Sequence, residues 1–192
     1  MHDLPTLLTR HTGLLLGTAR HLTDPDAPSF CQGWTRGHIL THLARNADGL
    51  SALVRAASEG TGEPMYASDA EREADIDAGA DRPLPELIAD LESSAQRLHT
   101  LLPRLQEVDP GVTVERTPGG LRFKAAALPW MRLREVVYHH VDLAAGFTFA
   151  DVEPELVRDY LEDEYVRLGD LPAQQARAAD LLWRARGIRE DG

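Results

Sequence analysis

The sequence contains a single cysteine, Cys31, among its 192 residues. One cysteine cannot form an intrachain disulfide, and it excludes zinc sites that are built on a CxxC pair. It is also typical of a protein that is kept in a reducing compartment. A metal ion bound to this chain must therefore use histidine and carboxylate ligands.

Basic residues are scarce relative to acidic ones, with 20 Lys and Arg against 31 Asp and Glu and a formal net charge of -11. This balance argues against a general attraction to nucleic acid or to an anionic membrane surface. The chain also lacks any apolar run that approaches the roughly 20 residues needed to cross a bilayer, and its first residues lack the order of a secretion signal. We therefore expect a cytoplasmic protein.

The apolar residues that are present recur at helical spacing and predict a mainly α protein. Hydrophobic residues make up 43% and charged residues 27% of the chain, which is an ordinary globular balance. Four longer helices are predicted at about 3–22, from Thr35 to about Ala57, at 85–103 and at 130–145. The second of these carries His38 and His42.

The connections between these helices differ in character. Residues 60–81 contain glycines, a proline and a short polar helical segment, and long connections of this kind are often functional. Two β-prone runs around Pro118, Gly119 and Gly120 predict a hairpin ahead of the fourth helix. Two further helices are predicted at 154–168 and 172–186, so we expect a bundle over 1–150 and a helical extension over 151–192.

Glu135 and His139 are the first candidates for a metal site. They lie four residues apart on the predicted fourth helix, where both side chains can reach a single ion. His42 on the second helix can supply a third ligand if the two helices pack side by side, as in metal-binding four-helix bundles. Three protein ligands with an open fourth position are typical of catalytic zinc.

The alternatives to this ligand set remain open at the level of sequence. A Glu and a His at this spacing are often an ordinary surface pair, although an unpaired carboxylate among apolar residues would be costly. His38 and His140 are competing candidates, and Asp142 is either a supporting carboxylate or a helix-face charge. Cys31 is either a ligand or nucleophile or, more commonly, a small buried apolar residue. Trp34 and Trp130 are expected in the core or in a pocket wall.

Three segments together resemble a known family. They are GWTRGHILTHLARNADGL, EPMYASDAEREADIDAGA and PWMRLREVVYHHVDLAAG, within about residues 5–150. The combination is similar to the mycothiol-dependent maleylpyruvate isomerases, which belong to the DinB-like superfamily of metal-binding four-helix bundles. The resemblance implies a zinc ion, or another divalent metal ion, on His42, Glu135 and His139, and the thiol mycothiol as cofactor.

The resemblance also implies a reaction. In that family a thiolate adds to the double bond of maleylpyruvate, rotation follows, and elimination of the thiol gives fumarylpyruvate. Negative charge develops on the substrate's keto oxygen during addition, and Arg82 and Arg132 are the candidates to stabilise it. Related proteins are mycothiol S-transferases, and a non-catalytic metal- or thiol-binding module is a further alternative. The expected partners are therefore a small electrophile and a low-molecular-weight thiol.

One expected feature of the family has no match in the sequence. Its members usually continue into a small C-terminal α/β domain that contributes an arginine to the site. The two helical segments predicted after residue 151 contain no position that we can match to that arginine.

Overall fold

The computed structural model describes residues 3–169 of the chain, with the side chains of 165–169 left aside. Its helices are α1 (Leu4–His21), α2 (Arg36–Glu59), α3 (Asp69–Ala80), α4 (Leu84–Leu101), α5 (Leu128–Asp142) and α6 (Pro154–Gly169). A two-stranded antiparallel sheet of β1 (Thr113–Glu115) and β2 (Arg122–Lys124) precedes α5. The predicted mainly α fold with a hairpin before the site helix is therefore confirmed.

Local signals in the sequence set the helix boundaries. The side chain of Asp3 accepts from the backbone N–H of Thr6 at the start of α1, and Thr35 accepts from His38 at the start of α2. Gly60 ends α2 in the left-handed conformation, with φ of 72°, which glycine adopts without steric cost. Thr35 is the start of the second helix that the sequence predicts.

The connection over 60–81 is more ordered than its sequence suggests. Residues 69–80 form the complete helix α3, which is capped by Ser68 through the backbone N–H of Glu71. Only Ile76 and Ala80 of this helix are buried, so the helix carries little apolar signal. Its position depends on packing against α2, which the sequence alone does not show.

The core has two apolar clusters. One joins α1, α2, α4 and α5, and Leu156 and Tyr160 of α6 pack into it as well. The other lies under the hairpin, where Leu50 and Leu53 of α2 meet Val114 of β1. The first cluster holds α2 beside α5, which is the arrangement that a shared metal site requires.

The C-terminal predictions have mixed outcomes. The helix predicted at 154–168 is confirmed as α6, whereas the helix predicted at 172–186 lies outside the described residues. The division into a bundle over 1–150 and an extension over 151–192 stays a prediction. No helix in the described part of the chain combines the length and the apolarity that crossing a membrane would require.

Candidate metal centre

The three predicted ligands meet at one point between α2 and α5. Nε2 of His42 lies 2.9 Å from Oε2 of Glu135, and Nε2 of His139 lies 3.5 Å from the same oxygen. The rings of His42 and His139 contact edge to face, with centroids 4.5 Å apart. One donor atom from each of the three residues falls within 4.8 Å of the other two.

These distances fit a small divalent ion. Ligand atoms about 2.0–2.2 Å from a tetrahedral zinc ion lie roughly 3.3–3.6 Å from one another. The separation of 3.5 Å lies within that range, and the separation of 2.9 Å between His42 and Glu135 is shorter, at hydrogen-bond distance. Two imidazoles and one carboxylate are also a donor set that zinc accepts. The residues present therefore fit a metal ion by donor type and spacing.

The pKa values within the cluster follow from burial and from mutual contacts. Burial lowers the pKa of His42 to about 4, and its hydrogen bond with Glu135 offsets only part of this effect. Burial alone would raise the pKa of Glu135, but contacts with His139 and His42 outweigh burial and hold it well below the usual value. Glu135 is therefore ionised and His42 is neutral, which are the protonation states that ligate a metal ion.

His139 is oriented by a carboxylate on its own helix. Its Nδ1 lies 2.9 Å from Oδ2 of Asp142, at ion-pair distance, while Nε2 faces Glu135. Burial disfavours a charge on His139, but its contacts with Asp142, Cys31 and Glu135 outweigh burial and raise its pKa well above the usual value. His139 is therefore protonated when no metal ion is bound, and a metal ion at Nε2 would displace a proton from the ring. A carboxylate behind a histidine is the usual support for a metal ligand.

Cys31 lies beside Asp142 and His139. Its Sγ donates a hydrogen bond to Oδ2 of Asp142 over 3.3 Å, and the side chain is half-buried. Cys31, His139 and Asp142 form a second group whose donor atoms are within 4.8 Å of one another. The two groups share His139, and Nε2 of that residue faces the first group.

The competing histidines point elsewhere. Nδ1 of His38 lies 2.8 Å from Oγ1 of Thr35 at the start of α2, which makes His38 part of the helix cap. His140 is buried, with Nε2 2.7 Å from Oγ1 of Thr18, and its ring stacks on Phe147. This separation of His139 from His140 follows from the turn of about 100° per residue in a helix.

The two tryptophans have different surroundings. The ring of Trp34 lies 5.3 Å from that of His42 and 6.3 Å from that of His139, so it forms one wall of the cluster. Trp130 instead donates from Nε1 to Asp163 of α6 over 2.9 Å.

A cavity of about 190 Å³ opens beside the cluster, and His42 and Glu135 are part of its lining. Arg72, Arg116 and Arg134 line the same cavity, so cationic side chains outnumber the one carboxylate in its lining, Glu135. Arg72 also pairs with Glu73, and Arg116 pairs with Asp69. The guanidinium groups of Arg72 and Arg116 lie over the ring of Tyr66, 5.9 and 5.5 Å from its centroid. An anionic ligand is the complement of such a cavity.

The hairpin and the long connection build the cationic side of this cavity. The backbone N–H groups of Met65 and Tyr66 donate to the carbonyls of Glu115 and Arg116, both over 2.9 Å. Arg72 of α3 places Nη2 3.0 Å from Nδ1 of His42. No sequence pattern brings Tyr66 and Arg116 together. Two signals pointed to this region: the length of the 60–81 connection and the segment EPMYASDAEREADIDAGA, which contains Tyr66 and Arg72.

The two arginines named from the sequence occupy other positions. Nη2 of Arg82 donates to Asp90 over 2.8 Å and its Nε donates to the carbonyl of Gly79 over 2.9 Å. Arg132 is buried beneath the site, where Nη1 donates to the carbonyl of Leu43 and to Asn46. Neither is among the residues that line the cavity beside the cluster. Their catalytic role stays a prediction.

Residues 8–144 match the family described as the mycothiol maleylpyruvate isomerase N-terminal domain. The chain belongs to this family. All three residues of the cluster lie within the matched range. A comparison with curated proteins found no match.

Two solved structures share the fold of this chain. A crystal structure of the mycothiol-dependent maleylpyruvate isomerase shares 31% identity at a TM-score of 0.71, and a histidine-to-alanine mutant of it shares 30% at 0.72. Each match covers 81% of this chain and 65% of the other. The chain thus spans about two thirds of those proteins, and the predicted DinB-like bundle is confirmed.

Proposed function

We propose that this protein binds a divalent metal ion, zinc, through His42, Glu135 and His139 and uses it for mycothiol-dependent isomerisation of maleylpyruvate to fumarylpyruvate. The observation that carries the proposal is the convergence of the three donor atoms within 4.8 Å at the edge of a cationic cavity. Family membership supports the choice of thiol and substrate.

The residues that would hold the metal ion come from two helices. Glu135 and His139 from one face of α5 and His42 from α2 would hold the ion, and a set of three protein ligands would leave room for an external ligand. Asp142 holds the ring of His139 in place. When bound, the ion supplies Lewis acidity that favours the thiolate form of a coordinating thiol, whose ordinary pKa is about 8.5.

The arginines that line the cavity support the choice of a substrate with two carboxylates. Maleylpyruvate carries two carboxylates, and Arg72, Arg116 and Arg134 offer guanidinium groups that can grip them. The same positive charge stabilises the negative charge that passes to the keto oxygen when a thiolate adds to the double bond. Tyr66 positions two of these arginines through its ring.

The test is a purified-protein assay with maleylpyruvate, with and without mycothiol, together with metal analysis. We expect one zinc ion per chain and thiol-dependent formation of the trans product with the thiol recovered. Glu135→Gln removes a charged ligand at nearly constant shape, so both zinc and turnover should be lost. Glu86→Gln, on an exposed position of α4, is the matched control and should keep both.

Other outcomes decide against the proposal in distinct ways. A stable conjugate of mycothiol with the electrophile would indicate S-transfer in place of isomerisation. Zinc binding without turnover over a panel of activated alkenes would indicate a binding module. Undiminished turnover in a metal-free Glu135→Gln protein would rule out the metal-dependent mechanism.

A further inference from the structure

A second cavity, of about 230 Å³, lies between α1 and α4 and shares no lining residue with the cavity beside the metal cluster. Its walls include Leu8 and Leu16 of α1 and Leu98 of α4, so much of its surface is apolar. Arg132 of α5 also lines it. The lining also includes Glu92, an exposed carboxylate that pairs with Arg20 over 2.8 Å. The cavity therefore combines apolar walls with one buried cation and one carboxylate that is already paired.

Arg132 has hydrogen-bonding capacity that its surroundings do not satisfy. Its side chain is only 1% exposed, and Nη1 donates to the carbonyl of Leu43 and to Oδ1 of Asn46 over 2.9 and 2.8 Å. Nη2 is buried and has no hydrogen-bond acceptor among the described residues. An unpaired buried donor on a charged group is costly, so an acceptor at this point would be favourable.

The charge on Arg132 is also poorly compensated. Burial lowers its pKa to about 10, and the more distant charges of Glu135, Tyr66 and Asp48 restore only part of the loss. Arg132 lines the cavity and its Nη1 is already bonded to α2, so a further acceptor for the buried Nη2 would have to enter through the cavity and uncover this atom. A carboxylate is the acceptor that pairs best with guanidinium.

We propose that the cavity between α1 and α4 binds a small organic carboxylate, with its carboxylate on Arg132 and its apolar body along the leucines. The site is separate from the metal cluster, and its occupancy does not depend on the function proposed above. Gly13 stands at its exposed mouth, where an added Cβ would meet no atom within 4 Å.

The experiment uses the full-length protein, with benzoate as the probe and benzyl alcohol as its uncharged counterpart. Binding is followed by calorimetry and by NMR shifts of residues around the cavity, such as Thr12 and His99. We expect saturable binding of benzoate at one site and binding of benzyl alcohol that is at least about tenfold weaker, because a charged hydrogen bond is lost.

Two glycine variants on α1 provide a matched pair. Gly13→Leu places a side chain over the mouth of the cavity and should abolish binding of benzoate. Gly17→Leu is on the same helix, has equally free space and does not line this cavity, so it should bind as the wild type does. Circular dichroism checks that both variants fold.

Glu135→Gln separates the two sites, because it should lose zinc and keep benzoate binding. Binding that is unchanged in Gly13→Leu would place benzoate elsewhere, for example on the arginines beside the metal cluster, and would overturn the proposal. Equal affinity for benzoate and benzyl alcohol would overturn the role of Arg132. A wild-type protein that does not bind benzoate at millimolar concentration would show that the cavity holds water only.

Discussion

At the scale of single residues, the candidate site depends on the groups that contact the second nitrogen of each histidine ring. His139 has Asp142 at 2.9 Å from Nδ1, so Nε2 is the nitrogen that faces Glu135. His42 is held between Glu135 on one side of its ring and Arg72 on the other. These contacts restrict the orientation of both rings.

The support of His139 by Asp142 can be tested with Asp142→Asn, which keeps the shape of the side chain and removes its charge. The charge of Asp142 increases the basicity of the ring, so we expect zinc affinity to fall by about 10- to 100-fold. Competition with a chromogenic chelator measures this affinity.

Asp77→Asn is the control for this prediction, because Asp77 is an exposed carboxylate that lies 3.7 Å from His38, outside the cluster. It should bind zinc as the wild type does. Equal affinities in all three proteins would show that Asp142 does not support the ligand.

At the scale of elements, the position of α3 depends on its close approach to α2. A Cβ on Gly37 would lie 2.2 Å from the carbonyl oxygen of Ala80, and 3.5 Å from that of Pro25. These are backbone atoms, which cannot move aside as a flexible side chain can. The start of α2 and the end of α3 therefore require glycine at this contact.

Gly37→Ala should push the two helices apart and lower the free energy of unfolding by about 1–3 kcal/mol, as overpacking does. Urea unfolding measures the change. Gly17→Ala in α1 is the matched variant, because its Cβ would meet nothing within 4 Å. It should be neutral or stabilising by up to about 1 kcal/mol. A Gly37→Ala protein that is as stable as the wild type would show that the approach of α2 to α3 does not require glycine.

At the scale of the whole molecule, Glu153, which directly precedes α6, contacts two residues of α1. Its side chain is 22% exposed, pairs with Arg10 and lies 2.8 Å from Nε2 of the buried His11. Burial alone would raise the pKa of Glu153, but a backbone hydrogen bond and the contacts with His11 and Arg10 lower it below its ordinary value of 4.5.

The stability that Glu153 contributes should therefore depend on pH. The unfolded chain binds a proton at this carboxyl more readily than the folded chain, so the contribution is present above the ordinary pKa and is lost as the pH falls through the lowered one. Glu153→Gln should cost about 1 kcal/mol at pH 7 and almost nothing once the pH is well below the lowered pKa of Glu153.

Urea unfolding of both proteins from pH 7 to a pH well below that pKa checks the prediction for Glu153. Glu162→Gln, on an exposed position of α6, should cost little at either pH. A difference between Glu153→Gln and the wild type that stays constant over this range would contradict the assigned role of the carboxylate.

The sequence by itself determined the features that arise from local periodicity and local caps. Apolar spacing predicted α1, α2, α4, α5 and α6 to within a few residues, and the spacing of Glu135 and His139 placed both on one face of α5. Local rules suffice here because a helix and its caps depend on neighbours within one or two turns.

The tertiary structure alone decided which distant groups meet. It brought His42 to Glu135, placed Tyr66 and Arg116 together through the hairpin, and buried Arg132 beneath the site. It also showed α3 to be a complete helix with only two buried residues. These outcomes depend on the packing of whole helices against one another, and the contacts involved join residues far apart in the chain, where no local pattern records them.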